Sequence, residues 1–234
     1  TLTGTSAVAG NLTSIKSATS GTIDASSLTL ITGLAADANT FYASSGITGL
    51  GNEAVTFSDT TLTATVLNTL DSNTEGLITA SSVTTITGLA ADINTAYAST
   101  GITGLGNEAF TLDDNATLAA SVLVTLDSNT VGQIDAGLIT GLTGTSADLA
   151  ALYTSNGQPT GISGLGNEAV TIVESTNTAV ADANLINAAT TGVVTATLAS
   201  GSMSELANLT GDENQVYTIT ITDSSVNLSK WFKF

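Results

Sequence analysis

ITGLAADANTFYASSGITGLGNEAV, residues 31–55, returns as ITGLAADINTAYASTGITGLGNEAF at residues 86–110, and this pair of copies decides the fold. The 55-residue offset extends beyond them: Gly21, Gly76, Gly132 and Gly192 align, followed two residues on by Ile23, Ile78, Ile134 and Val194. Tyr42, Tyr97 and Tyr153 align too, and the closing octapeptide appears a third time as ISGLGNEA at residues 162–169. Self-similarity at a fixed period marks stacked architectures, in which no repeat buries its apolar face alone.

Each long repeat divides in two. LTATVLNTLDSNTEG, residues 62–76, resembles LAADINTAYASTG, residues 89–101, with Leu first, Asn-Thr in the middle and Gly last. The elementary unit is therefore about 27–29 residues, with starts near Thr5, Leu34, Leu62, Leu89, Leu118, Thr145, Thr178 and Gly201, and the last two units are degenerate. In the first half of a unit, Leu34, Ala35, Ala38, Phe41 and Tyr42 follow the spacing of one helix face, as do Leu62, Val66, Leu67 and Leu70. Asp59, and Thr145 with Asp148, stand where N-caps belong, and the closing Gly76 and Gly101 suit a left-handed helix end. The second half, as in GLITASSVTTITG and EAVTFSD, is rich in Ile, Val and Thr and reads as one or two short strands.

Helix then strand, repeated with short connections, requires right-handed crossovers and a parallel sheet. The expected fold is an α/β right-handed solenoid of about eight helix-strand coils, with an all-β solenoid as the alternative. Residues 1–200 form the repeat body, and residues 201–234 hold a degenerate last coil, a terminal strand and an aromatic, basic tail.

Composition excludes several functions. Among 234 residues, 42% are apolar, enough for a core, while 10% are charged and the net charge is -17. There is no His, Cys or Arg, so the usual zinc ligands, thiol chemistry and nucleophile activators are missing. The lysines are Lys16, Lys230 and Lys233, and residues 17–229 carry no basic footprint for nucleic acid. No apolar run is long enough to span a bilayer. The chain starts at Thr1 without a signal segment and reads as a mature or excised fragment.

Two roles compete for the GLGNEA loop. As structural punctuation, its two glycines permit positive φ in a sharp turn and Asn tolerates the same region. A phosphate cradle would need the reverse element order and usually a Lys. Calcium is the functional alternative: Asn52, Glu53, Asn107, Glu108, Asn167 and Glu168 offer hard oxygen donors, which Asp71 or Asp127 could join. The aligned tyrosines suit core or helix-edge packing, with sugar stacking as the alternative. The terminus breaks the pattern: VYTITIT, residues 216–222, alternates apolar and Thr, and it leads to LSKWFKF. Val216, Tyr217, Ile219, Ile221, Trp231, Phe232 and Phe234 are the candidates for head-to-tail self-assembly, because a solenoid's last coil leaves an open edge.

The phrases ITGLAADINTAYASTGITGLGNEA and TLDSNT resemble the tandem repeats of very long surface proteins of marine picocyanobacteria, including the giant cell-surface protein associated with swimming in Synechococcus. The likeness covers roughly residues 2–175 and carries no assigned active site. It implies a secreted or surface-anchored bacterial repeat protein, and an acidic chain suits a saline exterior that screens charge repulsion. The expected function is non-enzymatic: an extracellular, protease-resistant rod or filament that needs no cofactor, with a calcium-dependent adhesin or ligand-binding module as the alternative.

Overall fold

The computed structural model describes residues 1–211 and 215–225, so Lys230, Trp231, Phe232, Lys233 and Phe234 lie outside the described residues. The chain is an α/β repeat protein in which strands alternate with helices, eight of them among the described residues. It forms two compact units: Thr1–Asp114 with Thr125–Asp135 and Pro159–Gly161, and Asn115–Val124 with Ala136–Gln158 and everything from Ile162 onward. None of the described helices is long and apolar enough to cross a membrane.

In the first unit, β1 (Ser6–Val8) runs into α1 (Ala9–Ser17), followed by β2 (Ile23–Asp24), β3 (Leu30–Gly33), α2 (Ala35–Tyr42), β4 (Ile47–Thr48) and β5 (Ala54–Phe57). The pattern resumes with β6 (Thr61–Thr63), α3 (Ala64–Asn73), β7 (Ile78–Thr79), β8 (Thr85–Gly88), α4 (Ala90–Ala98), β9 (Ile102–Thr103) and β10 (Ala109–Leu112). The helices begin within four residues of the expected unit starts. Their buried faces are Ala35, Ala38 and Phe41 on α2, Ala64, Leu67 and Leu70 on α3, and Ala90, Ile93 and Ala96 on α4. This is the apolar stripe that a helix turns toward a core. Leu34 departs from the expected face: it is the N-cap of α2 and about half exposed. Leu62 is buried on β6 rather than on the helix.

The recurrent Asn-Thr pair holds neighbouring helices together. Asn39 Nδ2 donates to the Val66 carbonyl on α3 and Asn68 Nδ2 to the Asp92 carbonyl on α4, each at 2.9 Å. The adjacent Thr40, Thr69 and Thr95 hydroxyls bond back to carbonyls four residues earlier within their own helices. A polar pair on an otherwise small-residue helix thus ties each helix to the next while satisfying its own groups.

Strand register adds a second period to the one in the sequence. Hydrogen-bonded partners are 24 residues apart at most rungs: Ile31 lies beside Val8's neighbour Ala7 and beside Val55, and Ile78 beside Ile102. Two such steps make 48 residues, whereas the sequence repeats after 55. The helix layer therefore advances past the sheets. The sheet β1-β3-β5-β7-β9 begins with strands that precede α1 and α2 and ends with strands that follow α3 and α4. The next column, β6-β8-β10 with β12 (Ile134–Asp135), repeats this order one sequence repeat later.

In the second unit, β11 (Thr117–Ala119), β13 (Gly141–Gly144), β15 (Ala169–Ile172), β16 (Val194–Thr197) and β17 (Val216–Thr218) form another parallel sheet of the same plan. β11 precedes α5 (Ala120–Asn129) and β13 precedes α6 (Ser146–Ser155). β16 follows α7 (Val180–Ala189) and β17 follows α8 (Met203–Leu206). The strand that opens with GLGNEA is the third in every column: β5, β10 and β15.

An acidic residue just past each third strand caps a helix of the preceding coil. Asp59 Oδ2 accepts from Ala35 N at 2.9 Å, Asp114 Oδ2 from Ala90 N at 2.8 Å, and Glu174 Oε1 from Ser146 N at 2.7 Å. Asp59 was expected to cap the helix that follows it; instead it caps α2, and Thr63 accepts from Val66 N to cap α3. Thr145 accepts from Asp148 N as expected. A carboxylate there offsets unpaired amides and the positive end of the helix dipole.

Candidate functional site

Glu53, Glu108 and Glu168, the carboxylates of the GLGNEA loops, are at most 2% exposed. Such burial demands partners, and the same ones appear three times. Glu53 Oε2 accepts from the Tyr42 hydroxyl and from Gly51 N, both at 2.9 Å. Glu108 Oε2 accepts from the Tyr97 hydroxyl, from Gly106 N at 2.8 Å and from Asn107 N at 3.2 Å. Glu168 divides the load, Oε1 taking the Tyr153 hydroxyl and Oε2 taking Gly166 N at 2.8 Å and Asn167 N at 3.1 Å. Glu108 Oε1 is buried with no hydrogen-bond partner among the described residues.

The main chain of each Glu is gripped from the next coil. Thr74, Thr130 and Thr190 donate their hydroxyls to the carbonyls of Glu53, Glu108 and Glu168 at 2.7, 2.7 and 2.8 Å. Each hydroxyl also accepts from the amide two residues on, at Gly76, Gly132 or Gly192. Gly76 and Gly101 were expected to end helices in the left-handed conformation, but neither has positive φ, and the same holds for all three glycines of the joint, Gly76, Gly132 and Gly192. Their role is close approach: a Cβ on any of them would stand 2.2 Å from the Glu carbonyl oxygen. Gly51, Gly106 and Gly166 do have positive φ, at 126°, 142° and 122°, which only glycine adopts without strain. The neighbouring Asn residues do not share it, since among the described residues no non-glycine residue has positive φ.

Burial raises the Tyr97 and Tyr153 phenols well above their ordinary value of 10.0, and the Glu108 and Glu168 carboxylates raise them further. Burial likewise raises Tyr42, with Thr74 pulling the other way and Glu53 adding to the rise. The tyrosines are thus held as hydroxyl donors. Tyr97 also meets the Phe110 ring edge-on, with centroids 5.6 Å apart.

The six calcium candidates are therefore not arranged alike. The three Glu side chains point into the fold toward Tyr and glycine amides, and Asn107 and Asn167 contribute backbone N–H groups to them. The Asn52 amide, in the orientation that satisfies both its ends, donates to Glu75 Oε2 at 3.3 Å. Among the described residues no group of three or more acidic side chains is placed to hold a metal ion. Of the self-assembly candidates, Val216 and Tyr217 lie on β17, and Ile219 and Ile221 are a little over one-third exposed beyond it.

Sequence reasoning found the Tyr, Glu and Gly columns separately and missed that they form one joint. The discoverable signal was Thr-x-Gly, at Thr74–Gly76, Thr130–Gly132 and Thr190–Gly192, whose Thr follows each GLGNEA glutamate by 21 or 22 residues. Comparison with protein-family models, curated proteins and solved structures finds no match to this chain.

Proposed function

We propose that this chain is a non-enzymatic structural repeat protein of a bacterial surface or the extracellular space, which builds a rod or filament and associates head to tail. One observation carries the proposal: in all three GLGNEA loops the buried carboxylate is held by the loop's own amides and the preceding Tyr, and the Glu carbonyl is held by the Thr-x-Gly of the next coil. Catalysis calls for one constellation that differs from its surroundings, with a nucleophile or base facing a cleft. Here the same Tyr–Glu pair recurs in all three loops, with the Glu buried each time. The net charge of -17 and the likeness to picocyanobacterial surface repeats support an exterior, saline setting.

Thermal melts in calcium and in chelator test this proposal. The same melting temperature is expected in both, because the carboxylates already have internal partners. A melting temperature that rises with calcium would make the loops ligand sites and replace the scaffold with a calcium-dependent adhesin.

A further inference from the structure

Four Asn-x-Ser/Thr triplets stand in the sequence, at Asn11, Asn115, Asn208 and Asn227. Such a triplet accepts an N-linked glycan where it lies in a surface loop of an exported chain. Asn227 lies outside the described residues, and the fold separates the other three. Asn11 is the third residue of α1, whose neighbouring Ala9 and Leu12 are buried, so its main chain is committed to a packed helix. Asn208 has a committed side chain instead: Nδ2 donates to the Ser204 and Glu205 carbonyls at 3.2 and 3.0 Å, and the Asn208 carbonyl accepts from Asn184 Nδ2 at 2.9 Å. Asn115 carries neither commitment. It lies between β10 and β11, outside helix and strand, and is exposed together with Ala116 and Thr117. Its carbonyl accepts from Thr140 Oγ1 at 3.5 Å, while its side chain has no hydrogen bond among the described residues.

The loop that holds Asn115 is one residue longer than the corresponding loop of the copy before it. Phe57 on β5 and Thr61 on β6 are four positions apart, whereas Leu112 on β10 and Thr117 on β11 are five apart. Register is the same on both sides: Phe57 pairs with Gly33 and Leu112 with Gly88, then Thr61 with Thr85 and Thr117 with Gly141. The cap is kept as well, since Asp59 and Asp114 each stand two residues past their strand and each accepts from a helix N-terminus. The added residue therefore follows the cap and precedes β11, so Asn115 and Ala116 neither cap a helix nor enter the ladder. Gly141 stands where the earlier column has Thr85 and gives Thr117 its room: a Cβ on it would come within 2.6 Å of Thr117 Oγ1. The acceptor amide and the hydroxyl two residues on are thus both presented to solvent. Asp113, two residues before Asn115, is exposed too, and its carboxylate has no hydrogen bond among the described residues.

We propose that Asn115 is an N-glycosylation site that takes an oligosaccharide from a polyprenyl-diphosphate carrier. In the transfer a bond forms between Asn115 Nδ2 and C1 of the first sugar, and the C1–O bond to the diphosphate breaks. The polyprenyl diphosphate leaves with that electron pair, and one Nδ2 proton passes to a base of the transferase. Asn208 would first have to give up two hydrogen bonds from its acceptor nitrogen, and Asn11 would have to unwind α1; Asn115 gives up nothing. Asp113 supplies a negative charge that a cationic groove of the transferase can hold. The site rests on the exterior setting argued above, since this transfer acts on exported chains.

The test is incubation of the folded full-length chain with a bacterial oligosaccharyltransferase and a polyprenyl-diphosphate oligosaccharide of known mass. Intact-mass spectrometry should show one glycan per chain, and cleavage after Glu108 and Glu168 should place it on the peptide that holds Asn115. Asn115→Gln should lose the added mass and keep the parent circular dichroism, because the side chain holds nothing in the fold. Asp113→Ala should slow the transfer, and an unchanged rate would overturn the part given to Asp113. A chain that gains no mass while a reference acceptor peptide in the same tube is modified overturns the proposal, as does a glycan carried on Asn11 or Asn208 instead. With purified components the outcome does not depend on where the chain is exported. A melting temperature raised by calcium with Asn115 modified would replace the scaffold and leave the glycan site; a calcium-independent melt with Asn115 unmodified would do the reverse.

Discussion

β5 and the segment from Ile219 to Thr222 hold the same place in their columns, pair with a glycine two residues before a helix, and lead to an acidic residue that caps that helix. They differ in what comes before and beside them. β5 is preceded by GLGNEA, has its Glu53 fastened to Tyr42 and Thr74, and is paired on its far side by β7. The terminal segment has neither the loop nor, among the described residues, a strand on its far side. Parallel bridging and helix capping thus occur without the joint: Ile221 makes an isolated bridge to Gly201 and Asp223 caps α8. Among the described residues, the joint accompanies a strand paired on the far side, as β7 is on β5.

The largest effect should come from giving the joint a side chain it has no room for. Gly132→Ala puts a Cβ 2.2 Å from the Glu108 carbonyl oxygen, against main chain that cannot rotate away. A loss of about 2–4 kcal/mol in urea unfolding is expected. The counterpart at the terminus, Gly201→Ala, meets first the flexible Glu205 carboxylate at 3.2 Å and should cost under about 1 kcal/mol. Equal losses at the two sites would remove the distinction between them.

Gly106→Val should come next. An added Cβ meets nothing within 4 Å, so the φ of 142° is what opposes it, and the expected cost is about 1–3 kcal/mol by chemical denaturation. Asp114→Ala should cost about 1 kcal/mol through loss of the cap on α4, and Asp223→Ala no more than that, because α8 has only four residues to lose.

The pH profile supplies the smallest and most selective effect. The Tyr97 and Tyr153 phenols have folded values raised above the ordinary 10.0, so their contribution is fully present below about pH 10 and is lost as pH rises through the folded values. Stability should therefore decline above pH 10, and Tyr97→Phe should flatten that decline. A profile that stays as steep in Tyr97→Phe would place the alkaline loss elsewhere.

Much of this was legible in the sequence. The 55-residue period, its division into two helix-bearing units and the odd strand after GLGNEA all follow from residues that repeat in register with themselves. What was hidden depends on a period the sequence does not display. Strands pair at 24-residue steps, so the partner of Glu53 in the ladder is not its copy at Glu108 but the stretch around Thr74 and Gly76, whose residues look unrelated to it. Tyr and Glu were also disguised: the interval is 11 residues from Tyr42 to Glu53 and from Tyr97 to Glu108 but 15 from Tyr153 to Glu168, because the third copy carries a longer loop before β14 (Ile162–Ser163). Asp59 shows the same limit, since an N-cap is sought next to its helix and this one reaches a helix in the previous coil.

The central claim is that GLGNEA exists to present a carboxylate to Tyr and a main-chain carbonyl to Thr rather than oxygens to a ligand, and a double-mutant cycle on Tyr97→Phe and Glu108→Gln by urea unfolding tests it most directly. Two partners of one buried hydrogen bond should show a coupling energy of about 1–2 kcal/mol, with the double variant less destabilised than the sum of the singles and the result unchanged by calcium. Additive losses, or a coupling that appears only when calcium is present, would contradict it.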